Sequence, residues 1–413
     1  MTADLLFWIL IGIIIFDFVI DQVLDYLNST YRKKTIPELV KDVYDDEKYK
    51  KQQSYSLENY KFSIISSSFS IILVLLMFLF EGFAFVDKIA KGYSDNPIFI
   101  ALIFFGILMI ASDILSIPFA YYDTFVIEEK YGFNKTTGKT FILDKIKSWF
   151  LIAVLGGGIL SLIIWFYRLD EANFWLFAWI GLSAIMLFMA MFYSNIIVPL
   201  FNKQSPLQEG ELRTAIEEFS KKVGYKLKNI YVIDGSKRST KANAYFTGLG
   251  GKKRIVLYDT LISELTKEQI IAVLAHEIGH YKKKHTLIGI FTSLIQTGIM
   301  LFLFSLFAGN PILSEALGIS TPGFHIALIV FGLLYSPVSI VLGLFMNTVS
   351  RKNEYAADKY AAQVYNSEHL ISGLKKLSSE NLSNLTPHPW YVFFTYSHPT
   401  LLQRIEALQK LKV

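Results

Sequence analysis

Cysteine is absent from the 413 residues. That excludes a disulfide framework, a CxxC redox pair, an iron–sulfur cluster, a cysteine-ligated zinc and a thiol nucleophile. Charge is scarce as well: 18% of residues are Asp, Glu, Lys or Arg, against about 25% in a soluble domain. The net charge of +5 is small and no basic stripe marks a soluble face, so nucleic acid is not an expected partner. Low-complexity segments and internal repeats are missing. What is abundant is apolar: 53% of residues are hydrophobic, 15% are aromatic and the mean hydropathy is +0.40. A disordered chain, a collagen-like fibre and an ordinary soluble enzyme are thereby excluded. A polytopic membrane protein with a soluble portion is left.

A bilayer core of about 30 Å needs about 20 apolar helical residues. Several stretches meet that length without any charge: 62–80, 148–167, 172–202, 286–314 and 316–350. Spans are expected near 62–86, 98–122, 148–167, 173–200, 286–308 and 324–348. A seventh near 5–26 is interrupted by Asp17 and Asp21. It is too long, and has too few basic residues before it, to be a cleaved signal peptide, and reads as an uncleaved first span.

Seven spans require connections on alternating sides, and the Lys and Arg counts alternate. In chain order, segments 28–61, 87–97, 123–147, 168–172, 202–285, 309–323 and the tail after Ser350 hold eight, two, five, one, sixteen, none and eight. The N-terminus is expected outside, and the C-terminus and both large polar segments in the cytoplasm. The domain reading is spans one to five with their loops over 1–201, a cytoplasmic domain over 202–285, spans six and seven over 286–348, and a polar helical tail over 349–413. Within 202–285 a helix is expected over about 208–223. Strand-like runs follow at Tyr231–Ile233, Ala244–Thr247 and Arg254–Tyr258, with a turn at Gly248-Leu249-Gly250-Gly251. Thr266-Lys267-Glu268-Gln269 is a capping box that opens another helix.

That helix carries His276-Glu277-Ile278-Gly279-His280. Histidines at i and i+4 share a helix face, so both imidazoles can reach one zinc ion. Glu277 can reach metal-bound water, whose pKa zinc lowers toward about 7. As general base it takes the water's proton, and as general acid it returns it to the leaving amine. This is the HExxH zinc-protease pattern. The alternative is an amphipathic helix with two surface histidines.

A catalytic zinc needs a third protein ligand. A metzincin would place Gly at 283 and His at 286; these are Lys283 and Thr286, so the ligand lies elsewhere. Glu354 is the best candidate. It shares a helix face with Asp358 at i, i+4, so one carboxylate can bind zinc while the other fixes a ligand imidazole. Both can equally be solvated helix charges. The Ala356-Ala357 pair beside them permits a second helix to pack closely.

The sequence resembles the CAAX prenyl endopeptidase family, integral membrane zinc metalloproteases of the gluzincin type. Five ordered blocks carry the resemblance: Tyr122–Lys135, Gly235–Phe246, Ala275–His280, Ser350–Asp358 and Tyr396–Thr400. The sister family of membrane heat-shock zinc proteases shares HExxH but lacks the 122–135 block. The resemblance implies one Zn2+ on His276, His280 and Glu354, Glu277 as general base and acid, and Asp358 behind a zinc-bound imidazole. It implies that His398 stabilises the oxyanion; alone, His398 reads as an ordinary surface or core histidine. Asn243 and Ala244 would contact substrate backbone on an edge strand, and Arg404 would contact substrate carbonyl or carboxylate groups. Without the family, Asn243 lies in an ordinary hairpin and Arg404 is a solvated charge.

The fold implied is an all-α membrane barrel of seven helices around a large water-filled chamber, capped by a cytoplasmic α+β zinc-metalloprotease domain. Asp17, Asp113 and His325 then face either chamber water or neighbouring helices. The implied activity removes the C-terminal tripeptide of prenylated CAAX proteins, so the partners are the bilayer and a peptide or protein C-terminus. The fifteen-residue outward loop 309–323 is the compact form typical of bacterial members. It points to a bacterial inner membrane, with the endoplasmic reticulum membrane as the eukaryotic counterpart. Two rival readings remain at this stage. One is a zinc protease clearing misfolded membrane proteins; the other is a non-enzymatic transporter or scaffold, which predicts an internal repeat.

Overall fold

A computed structural model describes residues 2–411 except 33, 226, 228 and 248–253, and the backbone alone at 246 and 247. The expected glycine turn at 248–251 lies outside the described residues.

Among the described residues, seven helices are long and apolar enough to cross a membrane: Ala3–Tyr31, Asp46–Leu79, Pro97–Glu128, Gly138–Leu169, Phe174–Phe201, His285–Ser305 and Phe324–Val364. Each overlaps one expected span, the sixth ending at Ser305 rather than 308. The second ends earlier than the expected residue 86. The charge-free run to residue 80 already covers a bilayer at 1.5 Å per residue, and Glu81 then adopts a left-handed conformation with φ 52°. A separate helix, Gly82–Tyr93, follows.

Only 6–17% of the residues in the seven apolar windows are buried. A close-packed bundle would bury most of at least one central helix. The helices stand instead as a wall accessible on both faces, around a membrane-embedded chamber. One end of that wall is closed. Leu6, Phe83, Phe104, Phe174, Phe304 and Phe324 belong to one buried cluster beside the short connections at this end. At this end His325 meets Asp87 at 2.8 Å. Deeper in, Asp113 accepts bonds from Lys145 at 2.6 Å and Trp149 at 2.8 Å, and Asp17 accepts one from Ser336. All three membrane-depth ionisable groups are thus bonded across helices, the cheaper arrangement in a low dielectric.

The other end carries a four-stranded sheet in the order β1-β2-β4-β3, with β1 Gln204–Pro206, β2 Asn229–Ile233, β3 Ala244–Thr247 and β4 Arg254–Tyr258. β2 and β4 are parallel; β1 and β3 flank them antiparallel. β3 is therefore an edge strand. Against the sheet packs the helix Lys267–Lys282, whose buried Ile270, Leu274 and Ile278 lie at i, i+4 and i+8. The Thr266–Gln269 capping box is present, with both reciprocal bonds made.

The block 122–135 fastens this domain to the membrane wall. Its π-helical turn, Asp123–Glu128, presents Glu128 to Lys241 at 2.8 Å and to the Tyr55 hydroxyl. Lys135 N–H donates to the Arg238 carbonyl, and Thr240 N–H to the Phe133 carbonyl, both at 3.0 Å. Arg238 adds a bidentate pair with Asp144 at 2.7 and 2.9 Å. The seventh apolar helix continues without a break through residue 349 to Val364. At about 1.5 Å per residue its 41 residues reach well past a bilayer. Its polar end thus rises into the sheet domain.

Candidate active site

The helices Lys267–Lys282 and Phe324–Val364 cross where their side chains are smallest. A Cβ on Gly279 would lie 3.0 Å from Ala357 Cα and 3.1 Å from its carbonyl oxygen. Ala357 is itself fully buried. This contact brings Glu354, one turn earlier, against the two histidines.

His276 Nε2 and His280 Nε2 lie 3.1 Å apart. Glu354 Oε1 is 3.1 Å from His280 Nε2, and Glu354 Oε2 is 3.4 Å from His276 Nε2. The three residues offer one ligand atom each within 4.8 Å of one another. Glu354 Oε2 is buried and has no hydrogen-bond partner, an expensive omission unless a cation is its partner. Two imidazoles and a carboxylate converging on an orphaned oxygen fit a divalent metal.

Behind His276, Nδ1 is 2.8 Å from Asp358 Oδ1. That bond holds the proton on Nδ1 and leaves Nε2 free to ligate. Burial opposes charge on His276, but the Asp358 and Glu354 carboxylates outweigh it and push its pKa up to about 9. Burial also lifts the Glu277 carboxyl above its ordinary value, with the two imidazoles pulling the other way.

His398 reaches the site from the chain end. Its Nε2 is 3.4 Å from Glu354 Oε1, and its side chain is 62% exposed. Its loop is tied to the seventh helix: Arg351 Nη1 donates to the Tyr396 carbonyl at 2.6 Å, and Asn347 Nδ2 to the Phe394 carbonyl at 2.8 Å. Ser397 Oγ lies 3.0 Å from His398 Nδ1.

On the edge strand, the Asn243 carbonyl accepts from Tyr258 N–H at 3.2 Å. Asn243 thus faces β4, and by strand alternation the Ala244 backbone faces the free edge. The Asn243 side chain is exposed and its Oδ1 accepts the Ala244 N–H at 2.8 Å.

Two family models together match most of the chain. Residues 26–203 match the CAAX prenyl protease N-terminal model of five membrane helices, and residues 206–412 match peptidase family M48. The chain belongs to the CAAX prenyl protease family. A CAAX prenyl protease 1 homolog of Dictyostelium discoideum is 37% identical over 91% of this chain and 89% of its own. The Homo sapiens homolog is 31% identical over 91% and 89%. The crystal structure of S. mikatae Ste24p superposes with a TM-score of 0.91 at 34% identity, covering 98% of both chains. The protein is a multi-pass membrane metallopeptidase.

Two side chains of this CAAX protease relative stand apart from the sequence expectation. Arg404 was expected on substrate. Its Nε and Nη2 instead donate to Asp358 at 2.8 and 2.6 Å, and its Nη1 is 3.8 Å from Glu354. The side chain is only 12% exposed. A capping box at Thr400 starts the helix Leu401–Lys410 and sets Arg404 in its first turns, aimed inward at a buried carboxylate.

His285 was not singled out at all. Its Nδ1 lies 3.0 Å from His280 Nδ1, so it holds the second imidazole as Asp358 holds the first. Five residues along a continuous helix are about 140° apart around the axis, so the spacing hides the contact. The helix ends at Lys282, Lys284 turns left-handed at φ 61°, and a new helix begins at His285. A Lys-Lys-Lys run of helix formers gives no sign of that break.

Proposed function

We propose that the protein is a zinc endopeptidase that removes a short C-terminal peptide from a membrane-associated, prenylated CAAX-type polypeptide. The observation that carries this is the His276–His280–Glu354 cluster with Glu277 beside it. Ligands about 2.0–2.1 Å from a tetrahedral zinc stand about 3.3 Å apart; here the two Nε2 atoms are 3.1 Å apart, and the two Glu354 oxygens lie 3.1 Å from His280 Nε2 and 3.4 Å from His276 Nε2. Zinc, when bound, supplies the Lewis acid that polarises the scissile carbonyl and acidifies a water molecule.

The chain's own residues do the rest. A substrate strand adds to the free edge of β3, pairing with the Ala244 backbone while Asn243 fixes that edge. Glu277 takes the proton of the attacking water and returns it to the leaving amine; its raised pKa suits both halves of that exchange. His398, exposed beside Glu354, donates to the oxyanion as it forms. Asp358 and Arg404 act through His276. The alternating Lys and Arg counts put the catalytic side in the cytoplasm. Short outward loops favour a bacterial inner membrane over the endoplasmic reticulum.

The test is incubation of zinc-loaded protein with a farnesylated CAAX peptide, with product masses read out. We expect loss of three residues, and Glu277→Gln to keep its zinc but lose about 10²–10⁴-fold in rate. Cleavage of an unmodified membrane protein, with the farnesylated peptide left intact, would replace this reading with a quality-control protease.

A further inference from the structure

We infer that the seam between the sheet and the membrane wall binds the phosphate headgroup of an anionic phospholipid. A cavity of about 660 Å³ lies there, lined by Lys147, Lys203, Tyr231, Asp234, Lys237 and Arg254 among others. Its four cations come from four places in the chain. Lys147 is the charge that precedes the run 148–167, and Lys203 the one that follows the run 172–202. Both therefore mark the level at which an apolar span leaves the bilayer. Lys237 ends the turn after β2, and Arg254 begins β4.

None of the four makes an ion pair among the described residues, although ion pairs are common elsewhere on this domain. Lys147 Nζ donates only to the Leu200 carbonyl at 2.7 Å, and the Arg254 guanidinium lies 4.7 Å over the Tyr231 ring. Asp234 is the single acid in the lining. Its Oδ1 already accepts from Asn202 Nδ2 at 3.0 Å and Lys203 N–H at 2.8 Å. Four positive charges against one negative, held in one cavity, repel one another until an anion enters.

Chemistry and place select the anion. Arg and Lys donors around a compact pocket suit phosphate oxygens. Pro199, Leu200 and Phe201 also line it, at the end of an apolar span, where a lipid's glycerol and acyl carbons would continue. Basic pockets at the cytoplasmic ends of membrane helices recognise headgroups in this way. Arg254 pairs in register with residue 247 of the edge strand, so the lipid would anchor the strand next to the one that receives substrate.

The test uses the full-length protein, stripped of co-purified lipid in detergent and titrated with phosphatidylglycerol, phosphatidylcholine or inorganic phosphate. Native mass spectrometry counts retained lipid, and thermal unfolding reports protection. Phosphatidylglycerol should bind and protect more than phosphatidylcholine. The double variant Lys203→Gln/Lys237→Gln should weaken that preference roughly thirtyfold while keeping its zinc content. Lys221→Gln/Lys222→Gln, with the same charge removed from the helix Glu211–Lys222, should leave it unchanged. Equal loss in both pairs, or no loss in the first, overturns the proposal. Protection by inorganic phosphate as strong as that by phosphatidylglycerol assigns the site to a free anion and overturns the lipid.

Discussion

At the residue scale the two imidazoles proposed to bind metal are held differently. His276 rests on a carboxylate that is itself locked by Arg404; His280 rests on another imidazole. Partners of this kind are worth about 10–100-fold in metal affinity. Asp358→Asn and His285→Ala should each weaken zinc binding by that order in a chelator competition, with the Asp358 variant affected more because its carboxylate also supports Arg404. Unchanged affinity in either variant removes that residue from the support of the metal. A pH dependence follows from the same contacts. The carboxylates push His276 up to about 9, so without metal it carries a proton at neutral pH. Zinc must displace that proton. Apparent zinc affinity should therefore rise from pH 6 to about pH 9 and then level off, with protons released on loading. A flat profile over that range would contradict the assignment.

At the scale of elements, one close helix crossing sets the site. Gly279 and Ala357 let the helices approach to backbone contact, and Glu354 follows. Gly279→Val forces side-chain atoms into the Ala357 backbone, where overpacking costs about 1–3 kcal/mol. It should lower the melting temperature and separate Glu354 from the imidazoles. Zinc content measured after dialysis should fall even though no ligand is changed. Full zinc retention would show that the crossing does not control the ligand. Much of this element level was legible in the sequence. The Thr266 capping box and the three strand-like runs follow from local chemistry, which is why they appear where expected. The Ala356-Ala357 pair pointed to a tight helix contact. The His280–His285 contact was not legible, because a left-handed lysine breaks a run of good helix formers. Without the family Arg404 reads as a solvated charge, because its buried acidic partner Asp358 lies 46 residues earlier in the chain.

At the scale of the whole molecule, the ligands are gathered from segments that share no local sequence. The wall of seven helices was readable from long apolar runs, five of them free of charge, since bilayer thickness fixes their length. The reach of the seventh helix was less obvious: its apolar part ends near residue 348, yet the same rod carries Glu354 and Asp358 into the sheet domain. The 122–135 block, conspicuous as a motif, holds the two halves together through Glu128 and the backbone at 133–135. It does not reach the metal site itself. The chamber, the clamp and the crossing helices converge on one place for one ion. An anomalous-difference map collected at the zinc edge tests that most directly. The account predicts a single peak within bonding distance of His276 Nε2, His280 Nε2 and Glu354. A peak elsewhere, or none in zinc-saturated crystals, would contradict it.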